Sequence, residues 1–167
     1  MKDKIIINDT RNADGRTANN LNSETLLEST NEHRRNVSEG MDYIAELIHN
    51  RGLRHDYTKV DDYFPLFKDT VLEGLSNEEF EKSEWKQLHI HQERHHLNGN
   101  VPVDVNLVDV IEMLVDVVMA SNGRSGQISS YYCKIQDPMV LERAYWNTIK
   151  LLDDIVEVKK EDNNYDV

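Results

Sequence analysis

Between Val105 and Ala120 the chain is apolar at nearly every position, and the main exceptions are acids. Val105, Leu107, Val108, Val110, Ile111, Met113, Leu114, Val115, Val117, Val118 and Met119 predict a helix buried nearly all round. Asp109, Glu112 and Asp116 recur at spacings of three and four, which sets the three carboxylates along one stripe of that helix. An ionised carboxylate in a core is costly unless it is paired or coordinates a cation. The fold must therefore bring positive charge to this stripe, either as a metal ion or, for Asp116, as a salt bridge from Arg54 or Arg94.

The histidines are the obvious companions. All but His49 fall into three groups: His33, His55 beside Asp56, and the run His89, His91, His95 and His96. Neutral imidazole with an adjacent carboxylate is the donor set selected by borderline cations such as zinc, manganese or iron. Structural zinc sites lean on cysteine, and Cys133 stands alone, so the expected use of a metal is hydrolytic and no intramolecular disulfide is open to the chain. At about 100° per residue, His91 and His95 share a helix face with Leu88, while His89 and His96 pair on another. His91 and His95 are the first choice, with His96 swinging in from a last turn stopped by Asn98-Gly99; which of the four ligate stays open.

The remaining elements also read as helices. Residues 1–22 form a polar, Asn- and Asp-rich lead-in, in which Ile5-Ile6-Ile7 suits a short strand or docking segment. Ser23 caps a first helix that carries His33 and ends at Gly52. A second starts near His55-Asp56, where a helix-start cap is the lesser reading of Asp56, and is interrupted at Pro65. A third begins at Ser76, which has capping-box spacing with Glu79, and continues through Trp85 to His96. The apolar helix follows, then a flexible loop over Ser121 to Gly126, a last helix from about Pro138 to Val158, and a polar tail at 159–167. The expectation is one all-α domain of five to six helices over 23–158, within a chain of 167 residues.

Composition excludes several classes. A formal charge of -12, from 31 acidic and 19 basic residues, argues against long nucleic acid as a partner and leaves small phosphorylated ligands open. No apolar run nears the roughly 20 residues of a membrane span, and Met1 to Asn8 is too short and mixed for a signal peptide, so the expected compartment is a reducing cytoplasm. There is no Gly-rich phosphate loop and no Gly-x-Ser-x-Gly elbow.

The order His33, His55-Asp56, a histidine run at 91–96 and an aspartate on a late apolar helix resembles the HD-domain metal-dependent phosphohydrolase superfamily, over roughly residues 30–125. His55-Asp56-Tyr57-Thr58-Lys59 is similar to the HDxxK segment of its two-metal branch, His95-His96 to its paired histidines, and Val115-Asp116 through Arg124 to its closing aspartate helix and loop arginine. The chain also looks like a small single-domain branch of phages and bacteria; a phage-encoded copy would work in the host cytoplasm. It departs from the cyclic-dinucleotide branch, since Leu97-Asn98-Gly99-Asn100-Val101-Pro102 replaces a Gly-Tyr-Pro segment and the gap between His91 and His95 is short.

The resemblance implies an HD-like helical bundle with one or two divalent ions (Mn, Zn, Fe, Co, Ni or Mg). His33, His55, Asp56 and Asp116 would hold one ion, and Asp56 would bridge to a second held by His91 and His95, with His96 as a further ligand. Asp56, Lys59 and Glu112 are the implied catalytic residues, Glu112 orienting a ligand histidine or acting as a base. Lys59, Arg124, Arg94 and Arg34 would meet phosphate oxygens. The implied function is hydrolysis of a nucleotide or related small phosphate ester by metal-activated water. A di-iron oxygenase and a non-catalytic nucleotide-sequestering protein are the alternatives, and the apolar last helix offers a homodimer face.

Overall fold

The protein is described here from a computed structural model, which describes residues 4–9, 22–128 and 134–159. The chain is all-α. Six α-helices, two 3-10 turns and one pair of short strands make up the described elements: β1 (Ile5–Asn8), α1 (Ser23–Arg54), α2 (Phe64–Leu72), α3 (Asn77–Lys82), α4 (Glu84–Gln92), α5 (Leu107–Ser125), α6 (Met139–Asp153) and β2 (Val156–Lys159), with the 3-10 turns between α1 and α2. Two compact units divide the chain, one formed up to Glu46 and again from Lys150, the other by Leu47–Ile149. None of the described helices is long and apolar enough to cross a membrane.

In the first unit, β1 and β2 pair in parallel, Ile5 opposite Val156 through Asn8 opposite Lys159, and Ile5 is buried. The isoleucine run is thus a strand. The Asn36 side chain of α1 donates to the Asn8 carbonyl at 3.1 Å. The last helix stops at Asp153 instead of continuing to Val158, because its last residues are taken by this strand pair. The first helix is capped one residue earlier than expected: the Asn22 carboxamide accepts from the N–H groups of Glu24 and Thr25 at 3.0 and 2.9 Å.

The second unit carries the site, and its local structure differs from expectation at several places. Gly52 does not end α1, which runs two residues further; a helix tolerates an exposed glycine at a cost of about 1 kcal/mol when a stronger stop follows. That stop is Asp56, whose φ of 57° is left-handed. Pro65 does not interrupt a helix but opens α2, where a missing N–H is no loss. The expected helix from Ser76 to His96 is two helices, because Ser83 is extended and its hydroxyl caps α4 by accepting from Lys86 N–H. The capping box between Ser76 and Glu79 is present.

α5 begins at Leu107, with Asn106 as its cap in a reciprocal box with Asp109. It continues through Ser125, so the expected loop over 121–126 is mostly helical, closed by Gly126 at φ 71°. α5 is not buried all round: Val108, Val110 and Met113 are buried, whereas Leu114, Val115 and Met119 are exposed. Its buried face joins Leu97, Val105, Val140 and Ala144 in the core. Thr148 of α6 accepts the Leu107 N–H at 2.9 Å, and Asn147 donates to the Val105 carbonyl at 2.8 Å, which satisfies groups around the start of α5.

Candidate metal centre

Among the described residues, every group of close donors lies in the second unit, on the turn after α1, on α4 and the chain just beyond it, and on α5. The left-handed Asp56 turns its carboxylate inward, and two 3-10 turns, Tyr57–Lys59 and Asp61–Tyr63, follow. Asp56 makes no side-chain cap hydrogen bond, so capping does not account for its carboxylate. α4 stops at Gln92, with Glu93 extended at φ -87° and ψ 115°, and this reversal folds His95 and His96 back beside His89. The rings of His89 and His96 lie 4.5 Å apart, and those of His95 and His96 4.3 Å apart.

Asp56 lies between two sets of donors. Its Oδ1 is buried with no hydrogen-bond partner, at 3.7 Å from His89 Nε2 and 3.9 Å from His95 Nε2. Its Oδ2 meets Lys59 Nζ at 2.5 Å and lies 3.5 Å from His55 Nε2, which in turn lies 3.4 Å from Asp116 Oδ1. His89, His95 and His96 offer nitrogens all within 4.8 Å of one another, and His55, Asp56 and His95 form a second such group. Ligands about 2.0–2.1 Å from a tetrahedral ion stand roughly 3.4 Å apart, so the spacing around Asp56 Oδ1 suits one first-row cation after a shift of a few tenths of an ångström. Mixed imidazole and carboxylate donors select zinc, manganese, iron, cobalt or nickel over calcium.

Electrostatics divides the histidines into two kinds. His55 is pushed up to about 10, first by its hydrogen bond to Asp116 and then by Glu112, whose Oε1 lies 3.1 Å from Nδ1. Without a cation it is an imidazolium among acids. His89 is pushed down to about 3 by burial and by neighbouring His96, and His96 to about 4 by burial and by His95. Both are neutral at physiological pH, the state in which imidazole binds metal. Burial would raise Glu112, but its hydrogen bond to His55, its proximity to His95 and Arg51 outweigh that and bring it down to about 2. Asp116 is lowered by His55. His95 Nδ1 lies 3.3 Å from Glu112 Oε1 without hydrogen-bond alignment, so a buried nitrogen and a buried oxygen, Glu112 Oε2, join Asp56 Oδ1 as polar atoms with no hydrogen-bond partner.

The top of the acidic stripe has a different role. Asp109 is fully buried and receives Arg94 Nε and Nη2 at 2.8 Å each, with Arg51 Nη1 at 3.2 Å. Arg94 also reaches Asp104 at 3.0 Å. Arg94 is therefore a structural partner of Asp109, not a free donor for phosphate, and it does not bridge to Asp116.

A profile described as Family of unknown function (DUF5662) matches residues 22–151. The chain belongs to the DUF5662 family. No curated protein and no solved structure matches it. The DUF5662 match takes in every residue of the centre just described.

Of the expected ligands in this DUF5662 chain, His55, Asp56, His95, His96 and Asp116 come together, with Lys59 and Glu112 beside them. His91 does not: it is exposed, and its Nδ1–H donates to the Gln87 carbonyl at 2.8 Å. The pairing of His91 with His95 assumed one continuous helix, and the break at Glu93 abolishes that spacing. His33 is exposed on the part of α1 in the first unit, and no group of close donors among the described residues includes it. Arg34 is exposed beside it. Arg124 is exposed in the last turn of α5, eight residues or roughly 12 Å of helix beyond Asp116, and is not a loop arginine. Cys133 and the 160–167 tail lie outside the described residues.

His89, one of the four histidines whose ligation was left open, joins the centre, and Glu93 and Thr58, to which the sequence assigns no role, lie beside it. Helical spacing already pairs His89 with His96, but what brings the two rings together is the chain reversal at Glu93, which no local signal marks. Trp85, one turn before His89, is buried as a core aromatic, stacked on the imidazole at 4.8 Å and 18°.

Proposed function

We propose that this protein is a metal-dependent phosphohydrolase acting on a nucleotide or related small phosphate ester. Asp56, His89, His95 and His96 would hold one divalent cation, and His55 with Asp116 would contribute to a second at the other oxygen of Asp56. The observation that carries the reading is Asp56 Oδ1, a buried carboxylate oxygen with no hydrogen-bond partner, facing the nitrogens of His89 and His95. Leaving such an atom unsatisfied costs about 1–3 kcal/mol or more, and a cation removes that cost. The resemblance to the HD-domain ligand order supports the same choice.

When bound there, a divalent cation supplies a water whose pKa falls toward neutrality. The chain's own residues do the remainder. Glu112 accepts from His55 Nδ1 and holds the ring with Nε2 toward Asp56 and Asp116. Lys59, whose ammonium meets Asp56, orients that carboxylate and would donate to a phosphate oxygen brought to it. The net charge of -12 favours a small substrate over a long nucleic acid.

The test is elemental analysis of the manganese-loaded protein together with phosphate release from mononucleotides, cyclic nucleotides and nucleoside tetraphosphates. Wild type should retain at least one equivalent of metal and cleave one class, and Asp56→Ala should lose both. A variant that kept its metal and its activity would refute the site. Metal retention without any phosphate release would leave the centre and remove the phosphate chemistry. The three imidazoles around Asp56 are also compatible with iron and so with a second, oxygenase reading, which visible absorbance and oxygen-dependent turnover of an organic substrate would establish in place of the first.

A further inference from the structure

Thr58 is fully buried on the 3-10 turn behind Asp56, and the hydrogen bonds around it leave little freedom. Glu93 is buried too, and its Oε1 accepts both the Thr58 backbone N–H at 2.9 Å and the Thr58 hydroxyl at 2.8 Å. Glu93 Oε1 accepts at both contacts, and a hydroxyl has one proton, so the proton of Thr58 is committed to Glu93. Thr58 Oγ1 also lies 2.6 Å from His89 Nδ1. With its own proton used, Oγ1 accepts there, and the imidazole proton resides on Nδ1.

We propose that Thr58, oriented by Glu93, is a positioning residue that locks His89 in its Nδ1-protonated tautomer and thereby reserves the Nε2 lone pair for a borderline divalent cation. The assignment rests on the metal-centre reading above and deepens it. Glu93 then acts through Thr58 and is not itself a ligand, although it stands within ligand distance of Asp56 and His89. Trp85 completes the clamp: its indole stacks on the His89 ring while its Nε1–H donates to the Thr58 carbonyl at 2.9 Å. Groups that orient a ligand histidine through its second nitrogen determine both ring direction and basicity.

The neighbouring ring must be the opposite tautomer. His89 Nε2 and His96 Nε2 are 2.7 Å apart, and two lone pairs cannot face each other at that distance. In the metal-free chain His96 therefore carries its proton on Nε2 and donates to His89; for that nitrogen to bind a cation, the ring must take up a proton from solvent at Nδ1 as it releases the one on Nε2 and so stay neutral.

Long-range proton–nitrogen correlation spectra of the metal-stripped full chain, labelled with 15N-histidine, test this directly, with zinc chloride as the titrant and His89 and His96 assigned by single Gln variants. The expected result is Nδ1–H at His89, Nε2–H at His96, and loss of the His96 Nε2 proton on zinc addition. Thr58→Val should release the His89 tautomer and weaken zinc binding about 10–100-fold, and Thr58→Ser should restore both. Wild-type His89 protonated on Nε2 would overturn the assignment, as would a Thr58→Val protein with unchanged tautomer and zinc affinity. If Thr58→Val does not fold, the wild-type tautomer still decides. A wild-type chain that binds no zinc would overturn the metal centre itself, and the tautomer measurement would judge the Thr58 role separately.

Discussion

At the scale of single residues, the acidic stripe of α5 divides by what faces each carboxylate. Asp109 is matched by the Arg94 fork and by Arg51, so its charge is spent within the protein. Arg94→Met should cost about 3–5 kcal/mol in chemical denaturation, because it removes the fork from a buried anion, with the KM for any substrate unaffected once the protein is folded. A phosphate-binding Arg94 would give the reverse pattern. Glu112 and Asp116 instead hold His55, and that choice was readable only in part: spacings of three and four showed that the acids share a face, but not which cation each would meet. The left-handed Asp56 is similar. The His55-Asp56 pair stands out as a string of letters, whereas the φ of 57° that aims its carboxylate is visible only in the folded chain.

At the scale of elements, caps decide where helices begin, and a cap can be tested by its removal. Asn106 accepts from the N–H groups of Val108 and Asp109 and receives the Asp109 carboxylate at its own N–H, at the entrance to the helix that carries Glu112 and Asp116. Asn106→Ala should cost about 1 kcal/mol, or about 2–4 °C in melting temperature for a chain of this length. A loss below a few tenths of a kcal/mol would show that tertiary packing alone starts α5. The Ser76 box was legible because its signature is local, two residues three apart. The breaks at Ser83 and Glu93 were not, since neither residue is a strong breaker, and their extended conformations are sustained by contacts such as those between Glu93 and Thr58. The single break at Glu93 replaced the expected pair, His91 and His95, with His89, His95 and His96.

At the scale of the whole molecule, the centre links stability to pH and, on the proposed reading, to metal. His55 is raised from 6.5 to about 10, so without metal its stabilisation is complete below pH 6.5 and is lost as pH rises toward 10. His89 and His96 are lowered from 6.5 to about 3 and about 4, so the unfolded chain binds more protons on the acid side and stability is lost as pH falls below 6.5. The melting temperature of the metal-stripped protein should therefore peak near pH 6.5, and His55→Gln should flatten the alkaline limb. A monotonic profile through pH 5–9 would contradict this distribution of charges. Adding zinc at a hundredfold excess over its Kd should stabilise the fold by about 2.7 kcal/mol, and a chelator should reverse the gain. An unchanged melting temperature would argue against a cation in the folded state.

What the sequence determined by itself was local: helical periodicity, a self-contained capping box, an acidic stripe on an apolar helix, and a supply of imidazole and carboxylate suited to a borderline cation. These follow from spacing along the chain, and helix geometry converts spacing into faces without reference to distant residues. Tertiary structure decided which faces meet. It assigned Arg94 to Asp109, left His91 exposed, brought His89 to Asp56 and placed Thr58 with Glu93 behind that imidazole. The physical reason is that one chain reversal re-aims every side chain after it, and the contacts that hold such a reversal, as at Glu93, come from residues 35 positions away.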